Sequence, residues 1–200
     1  MKQLEFWFDL GSPAAYLAWK RLPQFLRKTG AGAVHKPMLL GGVFKATGNA
    51  SPVTIPPKGK WIRADLTRAA RKDGVPLSFG PGFPINTLPL MRAAIGLQMR
   101  KPGRFAPYVD AMYDAMFAKP RDMRDEKTIA EVLSAAGFAP AEILALTADP
   151  EVKQALIKNT EEAVARGVFG APTFFVGDEM FWGQDRMDAV AEALAASTAA

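Results

Sequence analysis

Cysteine is absent from this 200-residue chain, and histidine occurs once. The lack of cysteine excludes disulfide bonds, thiolate zinc sites and a cysteine nucleophile, so any thiol chemistry must use a thiol that the protein does not own. A serine nucleophile of the acyl-transfer type needs a histidine base. The single candidate, His35, falls inside a predicted strand, where we expect it to be packed or on the surface. We therefore expect neither a hydrolase triad nor a metal site.

Long apolar runs are also missing. Glu5 and Asp9 interrupt the only apolar run near the N-terminus, so the apolar segment of a signal peptide is not present there. Nowhere does the sequence supply the ~18 consecutive apolar residues that a membrane helix requires. We expect a soluble, cytoplasmic protein that does not contact a membrane.

The composition is that of an ordinary globular protein, because hydrophobic residues make up 49% of the chain and charged residues 22%. A chain of this length forms one domain, or one domain with a large insertion, and buries enough surface to fold without covalent staples. The 25 Lys and Arg outnumber the 20 Asp and Glu, giving a net charge of +5. This mild excess is compatible with small anions but does not distinguish them from nucleic acid.

The N-terminal region predicts a β-α-β unit. Residues 4–10 are short, aromatic-rich and closed by Gly11, which is typical of a strand. Ser12 and Pro13 then supply a capping hydroxyl and a first-turn proline, so a helix is predicted to begin at Ser12. Gly30 and Gly32 end that helix, and residues 33–40 are predicted as a second strand, parallel to the first.

The middle of the chain is mostly helical in pattern. Two stretches rich in Gly and Pro, 47–57 and 74–84, are predicted to be binding loops because they are too long for idle connectors. Helices are predicted at 60–72, 88–99, 105–117, 128–136 and 151–165, with a further start at Pro140. Lys60, Arg63, Arg68, Arg71 and Lys72 cluster on the first of these helices. No nucleic-acid motif or aromatic interleaving accompanies them, so we expect a solvated helix face and no nucleic-acid partner.

The last part returns to strands. Residues 173–176 and 179–182 flank a Gly-Asp pair, which predicts a hairpin, and a final helix is predicted over 185–196. Pro172 at the start of the hairpin removes one hydrogen-bond donor from the strand, as an edge-strand proline does. Gln184 and Asp185 form the start of the final helix, where an acidic first turn is common.

Ser12 is the strongest candidate site residue. Its structural interpretation is that it caps the predicted helix. The functional interpretation is compatible with that role, because a helix start carries free N–H groups and a partial positive charge that stabilise an anion, including a thiolate.

Five sequence blocks, spread over almost the whole chain, resemble thioredoxin-fold proteins with an inserted helical domain. Within these, the chain is similar to the kappa-class glutathione transferases and the bacterial 2-hydroxychromene-2-carboxylate isomerases. The matching blocks are residues 6–13, 39–49, 83–86, 167–174 and 182–186. The resemblance implies an α/β thioredoxin-like fold (βαβ…ββα) with a large inserted all-helical domain. Residues 1–40 and 167–200 would form the thioredoxin-like domain, and residues 41–166 the insertion.

The resemblance also implies roles for individual residues in binding glutathione. Ser12 would donate a hydrogen bond to the glutathione thiolate. Pro172 would follow a cis peptide bond and leave the backbone of Ala171 to pair with the cysteinyl backbone. Gln184 and Asp185 would hold the γ-glutamyl end.

The polar residues of the insertion are expected to complete the site in the resembling family. Taken singly, a loop lysine or asparagine is usually solvated. As a group facing Ser12, these residues would supply cations and donors, with Lys58 serving glutathione and Lys45, Asn49 and Asn86 serving the substrate.

The activity implied is a glutathione-dependent isomerisation of the 2-hydroxychromene-2-carboxylate type, with an aromatic carboxylate as substrate. One alternative is a kappa-class glutathione transferase or peroxidase, and another is a non-enzymatic thioredoxin-fold binding protein. Gly11 and Ala14-Ala15 stand where relatives often have Ser and Tyr-Ser, so the pocket wall beside Ser12 is expected to differ. Relatives of this kind commonly form homodimers, and a homodimer is expected here.

Overall fold

A computed structural model describes residues 2–197, and in it four strands form one sheet. The strands are β1 (Gln3–Phe8), β2 (Gly32–Pro37), β3 (Thr173–Val176) and β4 (Glu179–Trp182), in the spatial order β2-β1-β3-β4. β1 runs parallel to β2 and antiparallel to β3, and β3 pairs with β4 as a hairpin.

Within residues 2–197, one helix connects β1 to β2, seven lie between β2 and β3, and one follows β4. In the described residues they are α1 (Pro13–Thr29), α2 (Leu40–Thr47), α3 (Pro56–Asp73), α4 (Leu88–Arg100), α5 (Pro102–Tyr113), α6 (Glu126–Ala135), α7 (Pro140–Ala148), α8 (Pro150–Ala165) and α9 (Met187–Ala196). Short turns at Pro52–Thr54 and Gln184–Arg186 are 3₁₀-helical, and Asp114–Ala118 is π-helical. The order β1-α1-β2, helices, β3-β4-α9 confirms the predicted βαβ…ββα arrangement. The predicted division at residues 40 and 167 into two domains stays a prediction.

Helix α1 begins and ends where its capping residues predict. The Ser12 hydroxyl accepts a hydrogen bond from the Ala15 N–H at 3.1 Å, and Pro13 occupies the first turn. At the other end Gly30 has φ +66°, and its N–H donates to the Leu26 carbonyl at 2.9 Å. The helix start is therefore fixed at the end of β1.

The core lies on both faces of the sheet because the side chains of β1 alternate. Phe6 and Phe8 point to the larger core, where their rings stack at 5.3 Å, and Trp7 points to a smaller cluster with Phe175. His35 on β2 packs near the ring of Trp19, with centroids 5.1 Å apart, and burial lowers the pKa of its imidazole. It is a packed strand residue, as expected.

The structure corrects several predicted boundaries. The second strand stops at Pro37, and Leu40 opens α2 instead of closing the strand. The cause is tertiary, because the N–H groups of Leu39 and Leu40 donate to the Thr160 hydroxyl and the Asp9 carboxylate and not to a neighbouring strand.

Three other corrections concern helix ends. Helix α3 begins at Pro56, four residues before the predicted start, so the first of the two predicted loops is shorter and contains a 3₁₀ turn. The predicted helix 105–117 is interrupted, because α5 ends at Tyr113 and a π-helical segment follows. The final helix begins at Met187, and the predicted start at Asp185 lies in a separate 3₁₀ turn. Arg21 holds that turn through the carbonyl and side chain of Gln184, both at 3.0 Å.

Among the described residues, no single helix is long and apolar enough to cross a membrane. The pair α6 and α7 meets the length and composition requirements only when taken together, and it is bent by 118°.

Candidate functional site

A cavity of about 630 Å³ opens beside the start of α1. Its wall combines the end of β1, the α2 start, the α3 segment, the loop before α4, and the residues around the β3 start. These lining residues fall within 9–14, 40–66, 79–87, 170–171 and 182. The cavity therefore lies between the sheet and the helical segment that follows β2.

Ser12 lies in this wall with its side chain almost completely buried, at 5% exposure. Besides capping α1, its hydroxyl donates to the Ala171 carbonyl at 2.9 Å. Among residues 2–197, no acceptor is found for the N–H of Ala14 or for that of Ala171, and both residues line the cavity. Two backbone N–H groups without an acceptor among the described residues therefore lie in the same cavity wall as the Ser12 hydroxyl, whose own proton is donated to Ala171.

The Ala171–Pro172 peptide bond is cis, as the resemblance implies. The Pro172 carbonyl accepts from the Gly183 N–H at 3.0 Å, and the Thr173 hydroxyl donates to Gly170 O at 2.8 Å. These bonds fix the segment before β3, so Ala171 is held next to Ser12 in the cavity wall.

Asp9 is a buried carboxylate that the sequence analysis did not assign to the site. It is 1% exposed and accepts from the Gly11 N–H, the Leu40 N–H and the Thr87 hydroxyl at 2.7, 2.7 and 2.8 Å. Burial raises the pKa of this carboxyl, while its three hydrogen bonds oppose that shift. The signal that was available is its position, since an acidic residue directly after a buried strand and before Ser12 needs a partner.

The sequence model of the DSBA-like thioredoxin domain family matches residues 3–195. The chain belongs to this family. It is 32% identical over 189 residues to the 2-hydroxychromene-2-carboxylate isomerase of Sphingobium xenophagum, with 94% of this chain and 95% of the isomerase covered. It is 27% identical over 207 residues to glutathione S-transferase kappa 2 of Caenorhabditis elegans, with 97% and 92% covered.

A solved structure of a 2-hydroxychromene-2-carboxylate isomerase has a TM-score of 0.85 to this chain at 28% identity, covering 98% of this chain and 96% of the other. These findings confirm both the predicted resemblance and the thioredoxin-like fold, with α3 to α8 as a helical insertion between the strands.

In this DSBA-like domain, two of the insertion residues predicted for the site line the cavity. Lys58 lies in the first turn of α3. Asn49 follows α2, and its side-chain amide donates to the Phe169 carbonyl at 2.8 Å. Asn49 thereby connects the loop after α2 to the segment that leads to cis-Pro172.

Five other predicted residues lie outside the cavity wall, and one of them, Pro172, adjoins the wall through Ala171. Lys45 is exposed in the last turn of α2. Asn86 is exposed and uses its side-chain oxygen to accept from the Leu88 N–H at 3.0 Å. Gln184 is buried against Arg21, and Asp185 is exposed and pairs with Arg186 at 2.8 Å.

Aromatic side chains and one arginine form a part of the wall that was missed by sequence reasoning. Phe79 and Phe83 lie 5.6 Å apart, and the Arg63 guanidinium lies 4.5 Å from the first ring centroid and 5.9 Å from the second. Arg63 is exposed, as expected for a solvated helix face, and it also lies over these two rings. Its contact with two aromatic residues of the loop before α4 does not appear in the sequence as a local pattern.

The charges at the cavity are two cations, Lys58 and Arg63, and the buried Asp9. No group of three or more His, Asp or Glu side chains in residues 2–197 is arranged to hold a metal ion. The wall therefore suits an anionic ligand that has peptide-like groups to pair with backbone N–H donors.

Proposed function

We propose that this protein is a glutathione-dependent cis-trans isomerase acting on 2-hydroxychromene-2-carboxylate or a closely similar aromatic carboxylate. The observation that carries the proposal is the position of Ser12. Its hydroxyl stands at the N-terminus of α1, beside the Ala171–Pro172 cis peptide and facing the cavity, in a chain with no cysteine. The relatedness to 2-hydroxychromene-2-carboxylate isomerases supports it.

The residues of the wall fit glutathione. The N–H of Ala171 and its carbonyl match the backbone pairing that an extended peptide makes with a strand edge. The helix start at Ser12 and Ala14 suits a thiolate. Lys58 suits a carboxylate of the tripeptide.

When bound, glutathione would supply a thiolate for reversible addition to the conjugated enone carbon of the open-chain substrate. Addition would turn the fixed double bond into a single bond that can rotate, and departure of the same thiolate would restore the double bond with no net gain or loss of a proton. The reaction has no net redox change, which is consistent with a site that contains no protein thiol.

The chain's own residues position and stabilise these groups. The Ser12 hydroxyl has one proton, so donating it to the thiolate requires release of its bond to the Ala171 carbonyl. That carbonyl then becomes available to accept from a peptide N–H. Asp9 holds the Gly11 N–H and Leu40 N–H, and in this way keeps the α1 and α2 starts at the cavity.

The test is a turnover assay of 2-hydroxychromene-2-carboxylate with and without glutathione, run beside 1-chloro-2,4-dinitrobenzene. We expect glutathione-dependent isomerisation with little conjugation of the second compound. Conjugation without isomerisation would assign the protein to the transferase activity of its kappa-class relatives. Failure of millimolar glutathione to bind in calorimetry would refute both activities.

A further inference from the structure

Arg63 is the cation of the cavity that is held by aromatic rings. Its guanidinium lies over Phe79 and Phe83, and both rings contact Phe117, at 6.5 and 5.7 Å between centroids. Phe117 is completely buried, so this stack is anchored in the core. Ring faces attract a guanidinium and favour one orientation of its plane.

The hydrogen-bond donors of Arg63 remain available. Within residues 2–197 its guanidinium has no ion-pair or hydrogen-bond partner. Arg68, five residues further along α3, instead pairs with Asp65 at 2.9 Å. A planar guanidinium with free donors is suited to bidentate binding of a carboxylate.

The other charged groups at the cavity do not offer this combination. Asp9 is an acceptor already occupied by three donors. Lys58 is a point charge, and no ring lies under its ammonium among the described residues. Lys45 and Asn86, expected from the resemblance to serve the substrate, lie outside the wall.

We infer that Arg63 determines substrate specificity by binding the substrate carboxylate, with Phe79 and Phe83 contacting the attached aromatic or conjugated system. The identification of this ligand as the substrate rests on the proposed function. The chemical class is a planar aromatic acid, since the guanidinium binds the anion and the adjacent rings offer apolar faces. Lys58 remains for glutathione.

The experiment compares two unreactive probes of one shape, cinnamate and its neutral analogue cinnamamide, by calorimetry without glutathione. Wild type, R63Q, R63K and R68Q are titrated with each. R68Q is the matched control, because Arg68 is an exposed arginine of the same helix outside the cavity.

Wild type and R68Q are expected to bind cinnamate roughly 10- to 100-fold more tightly than cinnamamide, the range of one charge-assisted hydrogen-bonding pair. R63Q should reduce this preference to about threefold or less, with cinnamamide affinity unchanged, and R63K should give an intermediate value because Lys lacks the planar fork.

Several outcomes would overturn the inference. Equal loss of both probes in R63Q would give Arg63 a structural role in the aromatic stack. A wild type without preference, or one that binds neither probe, would remove the carboxylate site. In a separate calorimetric titration with glutathione, a lower affinity in R63Q than in wild type would assign Arg63 to the tripeptide. The probe titrations contain no glutathione and do not depend on turnover. Absence of isomerase turnover would therefore refute the proposed function without changing the conclusion about carboxylate binding by Arg63.

Discussion

The hydroxyl of Ser12 has two competing acceptors, the Ala171 carbonyl at 2.9 Å and, in the proposed reaction, a thiolate. A charge-assisted hydrogen bond is worth about 1.5–3 kcal/mol, so Ser12→Ala should raise the pKa of bound glutathione by about one to two units. Turnover at neutral pH should fall, and higher pH should restore much of it. Titration of the thiolate's ultraviolet absorbance measures the shift.

Ser12→Thr is the matched variant, because threonine keeps a hydroxyl and still caps a helix. The pKa of glutathione bound to this variant should be close to that of glutathione bound to wild type. Identical titration curves for wild type and Ser12→Ala would remove Ser12 from this role. A complete loss of turnover in Ser12→Ala that high pH does not rescue would instead indicate a nucleophile.

His35 makes stability depend on pH in a defined window. Burial lowers the pKa of its imidazole below the ordinary value of 6.5. The folded chain therefore binds this proton more weakly than the unfolded chain. The free energy of unfolding is unaffected by His35 above the unfolded pKa, and it decreases as pH falls from the unfolded pKa toward the folded pKa. His35→Phe should remove that loss.

Urea denaturation of wild type and His35→Phe between about pH 7 and pH 5 measures the difference, and the single histidine makes the attribution direct. The ring resonances of His35 should titrate below 6.5 by NMR. Parallel pH dependence in the two proteins, or a titration above that value, would contradict the prediction.

At the scale of elements, the Asp9 carboxylate joins the starts of three helices. It accepts from Gly11 before α1, from Leu40 at the first residue of α2 and from Thr87 before α4. Thr87→Val removes one hydroxyl donor and should cost about 1 kcal/mol of unfolding free energy. Asp9→Ala leaves all three donors without their acceptor and should cost roughly 2–4 kcal/mol, because each buried unsatisfied donor is expensive.

Urea denaturation of both variants gives these free energies, with Asp65→Ala as a control, since Asp65 forms only an exposed pair with Arg68. Equal losses for Asp9→Ala and Thr87→Val would mean that the two backbone donors find water, and that Asp9 does not join the three elements.

Elements with local capping signals could be predicted from the sequence, and elements fixed by distant contacts could not. Ser12-Pro13 and Gly30 mark both ends of α1 correctly. The end of β2 was misplaced because the N–H groups of Leu39 and Leu40 bond to side chains from elsewhere in the chain. Neither the hydrophobic periodicity of a segment nor its capping residues indicate such distant partners.

The same distinction applies to the site at the scale of the whole molecule. Ser12 was predicted from its capping motif after a strand, and the cis peptide bond before Pro172 was expected only from the family resemblance. Arg63 and Asp9 were not assigned to the site, since Arg63 contacts Phe79 and Phe83, 16 and 20 positions later, and Asp9 contacts Thr87, 78 positions later. When a cavity wall is formed by separate chain segments, its lining residues do not form a local pattern in the sequence.

Glutathione should stabilise the whole fold, because its proposed contacts connect the α1 start, the α3 start and the segment before β3. At one hundred times its dissociation constant a ligand adds about 2.7 kcal/mol of stability, which for a chain of this size raises Tm by about 5–11 °C. Thermal denaturation over a glutathione series measures the shift. Failure of saturating glutathione to raise Tm would contradict the proposed binding.

The same titration decides the place of Asp185, which the family resemblance assigns to the γ-glutamyl end although it lies outside the cavity wall and pairs with Arg186. Asp185→Ala should shift the Tm series to higher glutathione concentrations, and should raise KM for glutathione while leaving kcat at saturation nearly unchanged, since its contact belongs to ground-state binding. Asp188→Ala, another exposed acid three residues later on α9, is the matched control and should follow wild type. If both variants follow wild type, the exposed pair with Arg186 is the whole role of Asp185; if kcat falls at saturation, Asp185 acts on the reacting groups and the assignment is wrong.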